Sequence, residues 1–187
     1  MKPYSGPVLP GEILFFGQLR RYKGVVNLTT VISQSVLTRK LTIAGAPSDA
    51  AIASEITASV RTRPEQSVSL HLRFMSEDEL AGHLHRCELV VLPYERVDNS
   101  GSVLMALSMC RPVLVPRIPV FERLATEVGP NWVLMYSGAL TGVVLDDALR
   151  TVRSAGKVQG PLLDRRSWQT TGIEHAQVFA SAASMRS

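Results

Sequence analysis

The chain is 187 residues long, with 45% hydrophobic and 19% charged residues, a net charge of +4 and a pI near 9.4. That composition describes one globular domain with a substantial core and excludes a disordered chain. The mild positive balance suits a phosphate-bearing ligand or an anionic membrane surface; without a run of Lys and Arg interleaved with aromatics, it argues against nucleic acid as a partner.

No apolar stretch approaches the roughly 20 residues needed to span a bilayer. Cys87 and Cys110 are the two cysteines, both in apolar helical contexts, so they are expected to be buried, reduced thiols of a cytoplasmic protein. Residues 1–11 are rich in Pro and Gly and lack the apolar core of a signal peptide. They read as a linker to something upstream, with the domain proper at 12–187.

From residue 12 onward, strands and helices alternate. EILFFG (12–17), KLTIAG (40–45), VSLHLRF (68–74), ELVVLPY (88–94), PVLVP (112–116) and WVLMY (132–136) read as strands. Several are near-continuous apolar runs, as parallel strands covered on both faces require. Helical patterns fill the gaps at about 24–37, 48–62, 77–86, 101–110, 119–128 and 139–155. Ser76 and Glu79 form a capping box for the third of these. A last helix is expected at about 165–183, with Trp168, Ile173, Val178 and Phe179. The fold class is therefore α/β: a single Rossmann-like, doubly wound parallel sheet of about six strands with helices on both faces.

Such sheets bind ligands beyond the carboxyl ends of their strands, where the strand order reverses. For the common order 3-2-1-4-5-6 that crevice lies between the first and fourth strands. The loops there are GQLRRYKG (17–24) and PYERVDNSGS (93–102). The first places Arg20, Arg21 and Lys23 at the entrance of a helix, where the helix dipole opposes cations. The second leads through Asn99, Ser100, Gly101 and Ser102 into an apolar helix whose free amides suit an anion. A diphosphate held between that helix end and Arg20 and Lys23 accounts for both loops. The dinucleotide fingerprint and the P-loop are both absent, and no aspartate ends a central strand as a phosphoacceptor domain would require.

The series FFGQLRRYKG, LTIAG, SEDELAGHLHRCELVVLPY and NSGSVLMALSMCRPVLVP, with a closing Ser-Trp and helix, resembles the donor-binding lobe of family 4 glycosyltransferases. These enzymes have two facing Rossmann-like lobes, so the chain corresponds to one half of a GT-B fold over about residues 12–180. The resemblance implies retaining transfer of a sugar from a nucleotide-diphosphate donor (GDP- or UDP-sugar), with no cofactor and no bound metal. It places a Gly17 amide near the phosphates and matches Lys23 to the diphosphate lysine. Gln18 stands where the family has arginine, so Arg20 takes that role. Ser100, Gly101, Ser102 and Val103 would set amides on the distal phosphate. Phe74, Met75 and Tyr94 belong to the same donor site, the first two beside the base, where Arg73 replaces a glycine.

The family's paired glutamates fall at Val97 and Met105. A thioether cannot accept the ribose hydroxyl bonds, so another group reads the ribose, or the pocket has changed its donor or lost function. Glu95, Asp98 and Glu122 are nearby carboxylates, of which Glu95 and Asp98 are the catalytic candidates. His83 and His85 are two apart on a helix and cannot chelate one metal. His71 and His175 read as structural, and Asp146-Asp147 as a solvated helix face. The expected function is the donor half of a glycosyltransferase in polysaccharide or glycolipid synthesis, inactive alone. Its partner is an N-terminal acceptor lobe outside this chain. The setting is the cytoplasm or the inner face of the membrane, with peripheral association of the full enzyme. The alternative is a non-catalytic nucleotide-binding or interaction module.

Overall fold

The computed structural model describes residues 7–61, 67–95, 101–129, 131–155 and 160–163. Six strands form one parallel sheet: β1 (Glu12–Phe16), β2 (Lys40–Ala44), β3 (Val68–His71), β4 (Leu89–Val91), β5 (Val113–Pro116) and β6 (Val133–Tyr136). Their order is β3-β2-β1-β4-β5-β6, the common doubly wound order on which the expected crevice rests. The helices are α1 (Val25–Val31), α2 (Ala50–Arg61), α3 (Glu77–Arg86), α4 (Gly101–Ser108), α5 (Pro119–Val128) and α6 (Gly142–Ser154). Short 3-10 turns lie at Arg21–Lys23 and Ile32–Gln34.

The central strands are mostly apolar because helices cover the sheet. Ile13, Leu14, Phe15 and Phe16 of β1 are all buried, as are Leu89, Val90 and Val91 of β4. β1 pairs with β2 on one side and β4 on the other, so the point of reversal lies between β1 and β4. α3 starts on the predicted capping box: Ser76 accepts from the Glu79 amide, and the Glu79 carboxylate accepts from the Ser76 amide.

Several expectations change in three dimensions. The helix expected over 24–37 ends at Val31 and tightens into the Ile32–Gln34 turn, because the chain must reverse before β2. Pairing in the fourth strand stops at Val91, although Leu92, Pro93 and Tyr94 remain buried. Cys87 is buried, which pushes its thiol up to about 12, but Cys110 is exposed just past α4, at φ 52°. The expected helix at 165–183, with Trp168 and His175, lies outside the described residues, as do residues 1–6. Leu9 donates to the Arg86 carbonyl and Gly11 to the Glu88 carboxylate, so these two residues are bonded to the domain.

Asp146 is the clearest correction. It does not lie on a solvated face; it is 5% exposed. Its carboxylate accepts from Ser35 Oγ at 2.6 Å, Val36 N at 3.1 Å and Leu37 N at 3.0 Å, fixing the turn before β2. Burial pushes this carboxyl up, but the three hydrogen bonds more than offset it and hold it below the usual range. Asp147 is the exposed member, paired with Arg150. Replacing Asp146 with alanine is expected to cost about 2 kcal/mol, because it strands donors that fold over it. Urea unfolding at pH 7 checks this; a loss within error would mean that water replaces the carboxylate.

Candidate nucleotide-binding site

Gly17 ends β1 with φ 112°, a conformation L side chains rarely adopt. A Cβ there would stand 2.7 Å from Ser102 Oγ and 3.6 Å from Lys23 Nζ. The β1 loop and the first turn of α4 therefore meet at this glycine, across the point of reversal. The Gly17 amide itself donates to the Ala44 carbonyl at 3.0 Å, continuing the β1–β2 ladder. The role expected of it, a free donor to phosphate, is thus already taken by the sheet; Gly17 contributes room instead.

Gly24 makes the second close approach, since a Cβ there would run into the Pro93 carbonyl. The Glu95 amide also donates to the Tyr22 carbonyl at 2.7 Å. These contacts lock the two loops together. Between them, Lys23 Nζ lies 5.5 Å from the centroid of the buried Tyr94 ring. Burial and, secondarily, the charge of Arg20 hold the Lys23 ammonium below its usual range. A bound anion would relieve both effects.

The other expected residues divide by environment. Arg20 and Gln18 are exposed at the mouth of the loop. Gly101 opens α4 with nothing within 4 Å of a built Cβ, Ser102 is half-buried, and Val103 is in the core. Val97, Asp98, Asn99 and Ser100 lie outside the described residues, so the Asp98 candidate has no described geometry. Glu95 is exposed. Glu122 is 3.5 Å from Arg117, and Met105 packs partly buried against the core. Phe74 is 84% exposed, whereas Met75 is 9% exposed and belongs to the core, so the two expected base neighbours are not equivalent.

Arg21 is set apart. Its Nη1 donates to the Glu55 carboxylate of α2 at 2.7 Å, on the surface. Sequence reasoning also missed two polar clusters. The Arg73 guanidinium is bonded to the carboxylate of Glu79. Glu88, expected to begin a strand, is a buried carboxylate bonded to Arg153. The first had a local signal, an i,i+6 charge pair around a capping box; the second had none. Among the described residues, no three His, Cys, Asp or Glu side chains converge as a metal site would require.

The family model described as "Glycosyl transferases group 1" matches residues 10–139. The chain belongs to this family. It is 37% identical over 185 residues to a GDP-mannose:glycolipid 4-beta-D-mannosyltransferase of Xanthomonas campestris pv. campestris, covering 95% of this chain and 51% of that protein. A second Xanthomonas campestris protein of the same name is 38% identical over 181 residues, or 93% and 50%. The group 1 chain thus spans about half the length of the curated relatives it matches. Among solved structures, Anabaena HepE in complex with UDP superposes with a TM-score of 0.65 at 13% identity, over 91% of this chain and 49% of that one. The C-terminal domain of a group 1 glycosyl transferase, LpcC, from Francisella tularensis gives 0.57 at 14% identity, over 76% and 75%. These two likenesses show the fold: the single six-stranded sheet matches a Rossmann-like half of the GT-B fold.

Proposed function

We propose that the chain is the donor-binding half of a glycosyltransferase that transfers mannose from GDP-mannose to a glycolipid. The observation that carries this reading is the meeting of Gly17, Lys23 and Ser102 at the crevice between β1 and β4, where a diphosphate fits between a half-buried ammonium and the opening of α4. The choice of GDP-mannose and of a glycolipid follows the relatives' names. Lys23, Arg20 and the start of α4 take the diphosphate charge, with no metal required. The acceptor lobe is supplied by chain outside these residues.

The family resemblance implied a retaining course. The relatives' names specify a beta linkage, and GDP-mannose carries its mannose in the alpha configuration. Making the same linkage would invert the anomeric carbon. The glutamate pair of the retaining family is replaced by Val97 and Met105, which favours inversion here. The same replacement favours the second reading, a binding module without activity. Because the acceptor is a glycolipid, the whole enzyme would work at the inner face of the membrane. No helix among the described residues is long and apolar enough to cross one.

Calorimetric titration with GDP, UDP and ADP is expected to rank GDP first. The chain alone should transfer no mannose from GDP-mannose to a glycolipid, because half the cleft is missing. Sustained transfer by this polypeptide refutes the half-enzyme reading, and failure to bind any of the three diphosphates refutes the donor site. The anomeric proton of the product made by the two-lobe enzyme decides between retention and inversion.

A further inference from the structure

We propose that Arg73 reads the base of the donor nucleotide, presenting a two-donor edge matched to the O6 and N7 acceptors of guanine. The inference rests on the donor-site reading above and adds the group that makes the site selective.

A guanidinium has five N–H donors in a fixed plane. Arg73 Nη1 donates to the Phe74 carbonyl at 3.0 Å and to Glu79 Oε2 at 3.0 Å, and Nη2 donates to Glu79 Oε1 at 2.5 Å. Three donors are thus spent, on the end of the fork. Among the described residues the Nε–H and the second Nη2–H have no acceptor, and they lie side by side on the adjacent edge. The side chain is 56% exposed, which leaves the guanidinium within reach of a ligand. Glu79 is itself held by the Ser76 amide and hydroxyl, which makes it a positioning residue for Arg73.

The place fits a base. β3 is tied to β2 by the Gly45 amide donating to the His71 carbonyl, and β2 to β1 by the Gly17 amide donating to Ala44. Arg73 therefore lies beyond β3, about two strand spacings or roughly 10 Å across from the β1 end where Lys23 and Ser102 meet. That is about the reach of a nucleoside from its diphosphate. Phe74, the next residue, is 84% exposed, and the Arg73 bond to its carbonyl fixes its backbone. Its ring offers a face on which a base can stack.

The chemistry then discriminates. Guanine sets two acceptors, O6 and N7, side by side. Adenine sets an amino donor beside N7, against one of the arginine donors, and uracil offers O4 with no second acceptor. The same edge would accept a carboxylate or phosphate, which base analogues distinguish.

The test titrates the chain with GDP, inosine diphosphate, 7-deazaguanosine diphosphate, ADP and UDP. Inosine diphosphate keeps O6 and N7 and is expected to match GDP, whereas the 7-deaza analogue lacks N7 and should bind about tenfold more weakly. Arg73→Ala removes both donors, so it should lower GDP at least to the level of the 7-deaza analogue and abolish the difference between the two ligands, while leaving ADP and UDP nearly unchanged. Arg73→Lys keeps a charge but loses the planar fork that Glu79 holds in place, and should restore the difference only in part. A purely structural role would move every nucleotide together. Equal binding of GDP and its 7-deaza analogue by the unmodified chain overturns the inference with no variant needed. Equal binding of GDP, ADP and UDP overturns base reading but keeps the donor site; absence of all binding overturns both.

Discussion

Lys23→Ala is expected to weaken GDP binding ten- to hundredfold while leaving guanosine binding almost unchanged. A charge-assisted contact is worth about 1.5–3 kcal/mol, and each 1.4 kcal/mol is a factor of ten. The ammonium is half-buried over Tyr94, next to the space at Gly17 and Ser102, where a phosphate would lie. Its proton is held less tightly than usual, by burial first and by Arg20 second. In the folded state without ligand, the charge is therefore a cost at neutral pH that rising pH relieves, and removing it should not lower the melting temperature. Binding and stability should thus move independently, as expected of a functional rather than a structural lysine.

Arg21 is the control. It spends its charge on Glu55 at the surface, a pair worth about 0–1 kcal/mol. Arg21→Ala should leave GDP affinity within about a factor of two, a difference well under 1 kcal/mol. Calorimetry on both variants with GDP and guanosine decides. Equal losses for the two ligands, or a larger loss at Arg21, would mean that residues 17–24 are an ordinary solvated turn.

Arg153→Ala is expected to destabilise the fold by about 3 kcal/mol at pH 7. Glu88 is 6% exposed and accepts from Arg153 Nε at 2.7 Å, from Nη2 at 2.9 Å and from the Gly11 amide. Removing one partner of a buried pair leaves the other charge without compensation, at about 3–5 kcal/mol. Arg153 keeps a side-chain exposure of 38%, which places this pair at the low end. Burial pushes the Glu88 carboxyl up, and the bonds from Arg153 and Gly11 more than offset it, leaving it below its usual range.

The sign of the pH dependence follows. A depressed carboxyl contributes stability that is fully present above its unfolded value, about 4.3, and is lost as pH falls through the folded value. Without Arg153 the carboxyl stays buried with the arginine's compensation gone and takes up a proton more readily. The cost of the substitution should therefore be largest at pH 7 and shrink toward pH 4. Urea unfolding at both pH values measures it. A loss below about 1 kcal/mol at pH 7 would place the pair among surface ion pairs.

Much of this protein was legible from residues a few positions apart. Apolar or alternating runs marked the six strands, helical patterns marked the helices between them, and Ser76 with Glu79 marked the start of α3. The crowding of Arg20, Arg21 and Lys23 against a helix dipole pointed to the candidate site. These signals are local, because propensity, capping and amphipathic period act within one or two turns.

The tertiary structure decided which polar groups leave water and which donors stay free. Asp146 is buried because it meets a turn 109 to 111 positions earlier, and Glu88 because it meets Gly11, 77 positions before it, and Arg153, 65 positions after it. Spacing along the chain does not encode those partners. The same holds for the Gly17 amide, spent on β2, and for the separation of Lys23, without an ion pair among the described residues, from Arg21, claimed by Glu55. A charged side chain in the sequence shows only that a charge exists. Its desolvation and pairing, which set its energy and its availability to a ligand, depend on neighbours that only the folded chain brings within a few ångströms.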